Sequence, residues 1–322
     1  MTPVHRWTSL SAVPADLGPT VATLGNFDGV HRGHQAVLGT VVDLASARGL
    51  AAVAVTFDPH PVAVLHPERA PEEIAGLEHR LALLEGLGLD GVVVIEFTRE
   101  YARLSPEDFV VQTFVEGLRS QVVVVGADTR FGLHNTGDVQ TMRELGDKHG
   151  FEVVVQRTEG DFEQGRRAWS STALRDALAT GDMATAAEIL DREHRVSGEV
   201  VHGHHRGREL GYPTANLSMH SEGMIPADGV YAGWLERPAL PEDHPDRRLP
   251  AAISVGTNPT FDDVVRRTVE AYVLDRLDLD LYGEVVWVDF TQRLRGNLRF
   301  DSVEALMAQM AQDVDRSRAL LA

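Results

Sequence analysis

Apolar positions follow two different rhythms along this chain. Over roughly the first 190 residues, short unbroken apolar runs alternate with stretches of helical period; beyond them, strand-like runs follow one another with only turn signals between. Thr20–Gly25, Ala51–Phe57, Gly91–Phe97, Gln121–Gly126 and Phe151–Gln156 read as buried strands. Between them, His34–Arg48 repeats Val37, Val41, Leu44 and Ala45 on one helical face and stops at Gly49. Leu77–Leu87 and Val139–His149 are further helices. Ser105-Pro106-Glu107-Asp108 opens another, with a capping serine, a first-turn proline and acids at the positive end. Continuous Val/Ile strands separated by helices predict a doubly wound parallel sheet, a Rossmann-like α/β domain.

Two short helices, Thr172–Ala179 and Met183–Leu190, close the first rhythm. Then Arg195–His202, Gly229–Glu236, Ala251–Val255, Thr268–Leu274 and Glu284–Gln292 read as strands, with turns at Gly203, Gly207, Pro226-Ala227-Asp228-Gly229, Asn258-Pro259 and Tyr282-Gly283. That pattern predicts a small antiparallel β-barrel. A terminal helix over Ser302–Leu321 sets Val303, Leu306, Met307, Met310 and Val314 on one face, and polar Arg237–Arg248 reads as an exposed insertion loop. The boundary falls at Asp191–Arg195, giving domains 1–190 and 191–322; a chain of 322 residues also exceeds what one core usually holds.

Composition narrows the function classes. The chain has no cysteine, which excludes disulfides, thiolate zinc sites and thiol catalysis. A net charge of −18 lacks the basic footprint of a general nucleic-acid binder. Small phosphates can still bind where a site supplies amides, arginines and Mg²⁺. Apolar runs such as Val122–Val125 are far too short to cross a bilayer, and the N-terminal residues lack a signal-peptide core. The expectation is a cytoplasmic protein with neither membrane nor nucleic-acid partners.

Gly25-Asn26-Phe27-Asp28-Gly29-Val30-His31-Arg32-Gly33-His34 joins the first strand to the first helix. In an open parallel sheet this turn lies at the carboxyl edge, where ligands bind. Its glycines let the backbone approach a phosphate, and the helix start offers free amides. His31 and His34 can donate to a phosphate there and stabilise charge on a pentacovalent α-phosphate. Thr56-Phe57-Asp58-Pro59-His60-Pro61 ends the second strand the same way, as a ligand contact or as a rigid Pro-bounded turn. In Gly126–Gly132, Asp128 can hold a ribose hydroxyl, and Arg130 either a phosphate or a surface ion pair. Ser171 and Thr172 can cap a helix or grip triphosphate oxygens, with Arg175 one turn later on the same side.

In the second domain the stretch from Gly203 to Leu217 is the most informative. It is no Walker A loop, because no Lys-Ser/Thr follows its last glycine. Gly203, Gly207 and Gly211 suit a flap over phosphates. Thr214 and Asn216 alternate as on a strand and offer neutral oxygens suited to Mg²⁺ carried by a nucleotide. Glu270 lies in a strand pattern, as the base for an alcohol substrate or as a barrel-face acid paired with Arg266 or Arg267.

These segments, in this order, resemble bacterial bifunctional riboflavin kinase/FAD synthetases over nearly the whole chain. The N-terminal module of that family is of the HxGH nucleotidyltransferase type, and Gly-Arg-x-Leu-Gly followed by Pro213-Thr214-Ala215-Asn216 marks its riboflavin kinase module. The resemblance implies that His31 and His34 serve adenylyl transfer. Gly25, Phe27, Asp28, Gly29, Gly33, Ser171, Thr172 and Arg175 would face ATP, and Phe57, His60 and Asp128 would face FMN. In the barrel it implies an ATP site at Gly203, Gly207, Arg208, Gly211, Pro213 and Thr214. Mg²⁺ would sit at Thr214 and Asn216, the base would be Glu270, and flavin contacts would come from Asn258 and Arg295. Thr129 stands where the family commonly has an aromatic residue, and Tyr272 where many members have histidine.

The implied activity is ATP-dependent phosphorylation of riboflavin to FMN, then adenylylation of FMN to FAD by a monomer or weak homo-oligomer. Three rivals are a chain with one silent module, a flavin-storage protein, and a nucleotidyltransferase for another phosphate acceptor. Intact residues at both sites argue against the first, the His pair and the Thr/Asn pair against the second, and the kinase-like module against the third.

Overall fold

Six parallel strands make the sheet of the first unit: β1 (His5–Trp7), β2 (Thr20–Leu24), β3 (Ala51–Asp58), β4 (Gly91–Glu96), β5 (Ser120–Gly126) and β6 (Glu152–Gln156), in the order β1-β4-β3-β2-β5-β6. The computed structural model describes residues 4–156, 169–203, 211–259 and 265–322, without the side chains of 258, 259, 265 and 266. Both faces of the sheet are covered, which is why its strands read as unbroken apolar runs. Ala52, Ala54, Val122 and Val124 pack with Leu38 and Val41 of α1 (Arg32–Arg48). Leu81 and Leu84 of α3 (Leu77–Glu85), which follows the short α2 (Pro61–Leu65), join that layer. Val53, Val55, Val123 and Val125 pack on the opposite side, with Phe109 of α4 (Pro106–Val110) and Met142 of α5 (Val139–His149). The edge strand β1 carries only three residues, too few for a periodic signal in the sequence.

The chain divides into two compact units, residues 1–72 with 77–170, and 73–76 with 171–322. Residues 171–190 therefore pack with the second unit, as α6 (Ser171–Thr180) and α7 (Met183–Leu190). Arg293 ties α6 down by donating to the Thr180 carbonyl at 3.1 Å.

The second unit is a closed antiparallel barrel of β7 (His194–Val201), β8 (Ala215–Leu217), β9 (Gly229–Glu236), β10 (Arg248–Pro259), β11 (Val265–Val273) and β12 (Val285–Arg295). Tyr231, Leu235, Ile253, Val288 and Phe290 fill its interior. The terminal helix α8 (Val303–Leu321) keeps part of the apolar stripe read from its sequence inward, with Leu306, Met310 and Val314 half-buried. Val303 and Met307 are exposed, whereas Asp313 and Ser317 are buried. Asp313 is held by an ion pair: Arg295 donates to it from Nε at 3.0 Å and from Nη2 at 2.6 Å. Among the described residues no helix is long and apolar enough to cross a membrane.

His194 is 2% exposed, and its Nε2 donates to the Met224 carbonyl at 2.7 Å. Burial pushes its imidazole down to about 4, with Arg192 adding to the effect and the Met224 bond opposing it. The folded protein holds His194 neutral while the unfolded chain would protonate it. The resulting stability is complete above about pH 6.5, is lost as pH falls towards 4, and amounts to about 3 kcal/mol. His194→Gln keeps a donor for Met224 but does not titrate. Its melting temperature is expected to fall less between pH 7 and pH 4 than that of the parent, as read by calorimetry.

Candidate functional site

The first site grows from the turn between β2 and α1. Because β3 and β5 flank β2, the turns after these three strands lie side by side at the carboxyl edge. The chain switches from one side of β2 to the other here, the place where doubly wound sheets open a crevice for ligands. The backbone of the turn is strained: Phe27, Gly29 and Val30 have φ of 48°, 79° and 41°. Each non-glycine residue in this region costs about 1–3 kcal/mol, and such outliers gather at functional sites. Burial offsets the cost, since Phe27 and Val30 are 2% and 1% exposed.

His31 caps α1, its Nδ1 accepting the His34 N–H at 3.3 Å. A neutral His31 bonded in this way carries its proton on Nε2. The His31 and His34 rings stack with centroids 3.6 Å apart, and Phe27 meets His34 edge-on at 5.3 Å. Burial, and next the neighbouring His31, hold His34 well below the usual histidine range, so it is neutral at pH 7. Its Nδ1 is buried with no hydrogen-bond partner among the described residues. Gly33 permits a close approach, because a Cβ there would lie 2.9 Å from the Trp169 carbonyl.

The adjoining turns meet this one. The Asn26 amide lies 3.1 Å from His60 Nε2, and His60 in turn caps α2 through Nδ1, which accepts the Val62 N–H at 3.2 Å. Phe57 faces inward, edge-on to Phe97 at 5.5 Å. Asp28 is buried in the turn, whereas Asp128 is exposed after β5. Arg130 pairs with Asp138 at 3.4 Å on the surface, the ion-pair alternative read from the sequence. Ser171, Thr172 and Arg175 stand at the start of α6, in the second unit.

Two residues that the sequence did not single out hold this turn. Arg80 donates to the Asn26 and Phe57 carbonyls, both at 3.1 Å, and Gln35 donates to the Val30 carbonyl at 2.9 Å. The available signal was a charge on an apolar stripe: Arg80 lies three residues from Leu77 and four from Leu84.

The second site lies on the barrel's outward face. Val269, Ala271 and Val273 point inward, so Glu270 points out, half-buried. Across the sheet it faces Asn216 on one side and Ser254 on the other. Asn216 Nδ2 donates to Thr214 Oγ1 at 3.2 Å, which brings the two oxygen-bearing residues together. Gly203 seats this pair closely, since a Cβ there would lie 2.5 Å from Asn216 Oδ1. These hard, neutral oxygens beside a carboxylate suit Mg²⁺. Among the described residues no group of three or more His, Asp or Glu could hold a metal, so a cation here would rely on phosphate oxygens as well.

Arg267 donates to Asp228 at 3.0 Å rather than pairing with Glu270. Arg295 is engaged by Asp313, as described above, and Gly211 is an exposed turn residue with φ of 83°. Tyr272 meets Tyr212 edge-on at 5.2 Å. Gly207 and Arg208 lie outside the described residues, as do the side chains of Asn258 and Arg266.

Comparison with known proteins gives the class: an ATP-using transferase with two catalytic modules in one chain. The FAD synthetase family model matches residues 13–173, and the riboflavin kinase model matches residues 190–321. The bifunctional riboflavin kinase/FMN adenylyltransferase of Escherichia coli strain K12 is 36% identical over 297 residues, covering 91% of this chain and 90% of that protein. The Pseudomonas fluorescens protein of that name is 37% identical, covering 94% and 93%, and the Bacillus subtilis one is 31% identical, covering 97% and 96%. The crystal structure of a macrolide-efflux protein from Streptococcus pneumoniae shares the fold with a TM-score of 0.85 and 29% identity, covering 98% of each chain. The chain belongs to the bifunctional riboflavin kinase/FMN adenylyltransferase family.

Proposed function

We propose that the protein makes FAD from riboflavin in two ATP-dependent steps at separate sites, kinase chemistry in residues 191–322 and adenylyl transfer in residues 1–190. The observation that carries this reading is the row of Asn216 and Glu270 on neighbouring strands, with Thr214 beside it, in a chain that also holds the stacked His31 and His34.

In the first step a ribityl hydroxyl oxygen of riboflavin attacks the γ-phosphorus of ATP, Glu270 takes the hydroxyl proton, and ADP leaves. Thr214 and Asn216 would hold Mg²⁺, which when bound would neutralise charge on the phosphates. Gly203, Gly207, Arg208, Gly211 and Pro213 form the ATP side, with Asn258 and Arg295 on the flavin side. Arg295 takes that role from resemblance, its guanidinium being committed to Asp313. Catalysis here is positioning plus charge neutralisation.

In the second step an FMN phosphate oxygen attacks the α-phosphorus of a second ATP, and pyrophosphate leaves. His31 and His34 donate to the phosphate as charge grows on it. Gly25, Phe27, Asp28, Gly29 and Gly33 serve ATP, and Phe57, His60 and Asp128 serve FMN; Ser171, Thr172 and Arg175 have an ATP role from the resemblance alone. We place the enzyme in the cytoplasm as a monomer or weak homo-oligomer that works on small molecules, and its acidic composition argues against nucleic acid as a partner.

The test is a time course with riboflavin, ATP and Mg²⁺, resolved chromatographically. FMN is expected first and FAD after it. FMN alone would remove the second activity, and flavin binding without conversion would leave a storage protein.

A further inference from the structure

We infer that Arg80 is a positioning residue for the adenylyl step; this rests on the reading that the turn at residues 25–34 carries that step. Arg80 lies on α3 and is 1% exposed, yet no carboxylate touches it closely: Asp58 Oδ1 is 3.8 Å from Nη2. A guanidinium buried so deeply is costly unless donors of its fork find acceptors. Two of them go to main-chain carbonyls that end neighbouring strands, Asn26 and Phe57, each at 3.1 Å, while Nε is buried with no partner among the described residues.

The choice of carbonyls gives the arginine its role. The Asn26 carbonyl also accepts Thr56 Oγ1 at 3.2 Å, so two donors fix the peptide between Asn26 and Phe27. Phe27 is the first residue of the turn in the left-handed region, and its ring lies against His34. Fixing that peptide plane therefore fixes where the following amides and the His34 ring point. At the far end Gln35 holds Val30, the other strained residue. The shape of the turn is thus imposed by side chains outside it. The two diverging donors of the fork also bind the turn after β2 to the turn after β3, where His60 meets the Asn26 amide. A lysine can reach one of these carbonyls, and an apolar residue neither.

The experiment uses full-length Arg80→Met and Arg80→Lys enzymes and assays riboflavin phosphorylation and FMN adenylylation separately. A misplaced phosphate-binding turn should lower kcat for FAD formation about 100-fold in Arg80→Met, with KM for ATP and FMN moving by less than about 3-fold. Riboflavin phosphorylation should be unchanged, and Arg80→Lys should fall between the parent and Arg80→Met. Unchanged kcat in folded Arg80→Met, or a loss carried wholly by KM, overturns the inference. Should Arg80→Met not fold, Arg80→Lys decides: a fall in kcat of about tenfold supports the role and the parental rate overturns it. His31→Asn, assayed in parallel, separates the two failures. If it and His31→Ala both keep FAD formation, the reading of the turn is at fault; if both lose FAD formation while Arg80→Met keeps it, only the role of Arg80 is.

Discussion

Glu270→Gln is expected to lose riboflavin phosphorylation by about 10²–10⁴-fold, while added FMN is still adenylylated at the parental rate. Glutamine has the size of glutamate and keeps a hydrogen-bonding end, but it cannot take a proton from a hydroxyl. The position is tolerant of the change, because Glu270 is half-buried on the outward face and not in the packed interior. The effect must come from chemistry at one spot: Asn216 is the direct cross-strand neighbour of Glu270, and Thr214 is bonded to Asn216. The check is the initial rate of FMN formation from riboflavin, set beside the rate of FAD formation from FMN. A folded variant that lost both activities would break the two-site model. One that kept riboflavin phosphorylation within a few-fold would remove Glu270 from the role of base.

The architecture was legible because both kinds of sheet leave strong traces. Strands covered on both faces must be apolar at every position, as in Val122–Val125, and a closed barrel leaves regularly spaced turn signals between short strands. The pairing of Thr214 with Asn216 was legible too, since alternation on an extended chain puts both on one side. Other features depend on contacts between distant segments. The sequence gives no sign that Glu270 sits opposite Asn216, because that register is set by barrel closure. The inward face of α8 was legible only in part for a similar reason: Leu306, Met310 and Val314 do turn inward, but its most buried positions include Asp313, which is held by Arg295. Arg80 stands as a charge on the apolar stripe of its helix, but only the meeting of two strand ends above α3 makes it a buried donor to carbonyls. Nor does composition disclose that Phe27 and Val30 adopt left-handed backbone, since neither residue type favours it.

His31 is expected to be as decisive for FAD formation as Glu270 is for FMN formation, but its two functions must be separated. It caps α1 by accepting the His34 N–H, and in the proposed reading its ring also donates to the phosphate. His31→Ala removes both, and loss of a cap alone costs about 0.5–2 kcal/mol. Asparagine is among the best caps, so His31→Asn should keep α1 and the melting temperature near the parent while removing the imidazole. Both variants should form FAD from FMN about 10²–10³-fold more slowly, the usual cost of losing one donor to a developing charge. Riboflavin phosphorylation should be untouched. The stacked pair adds a further consequence. His34 is held well below the usual histidine range first by burial and then by His31, so removing His31 relieves the smaller of the two effects and moves His34 upward. Burial persists in the variant, so His34 stays neutral at pH 7 and does not replace the missing donor with a charge. Equal losses in the two variants, despite unequal stabilities, would assign the effect to chemistry at the phosphate. Full activity in His31→Asn with loss only in His31→Ala would instead reduce His31 to a helix cap.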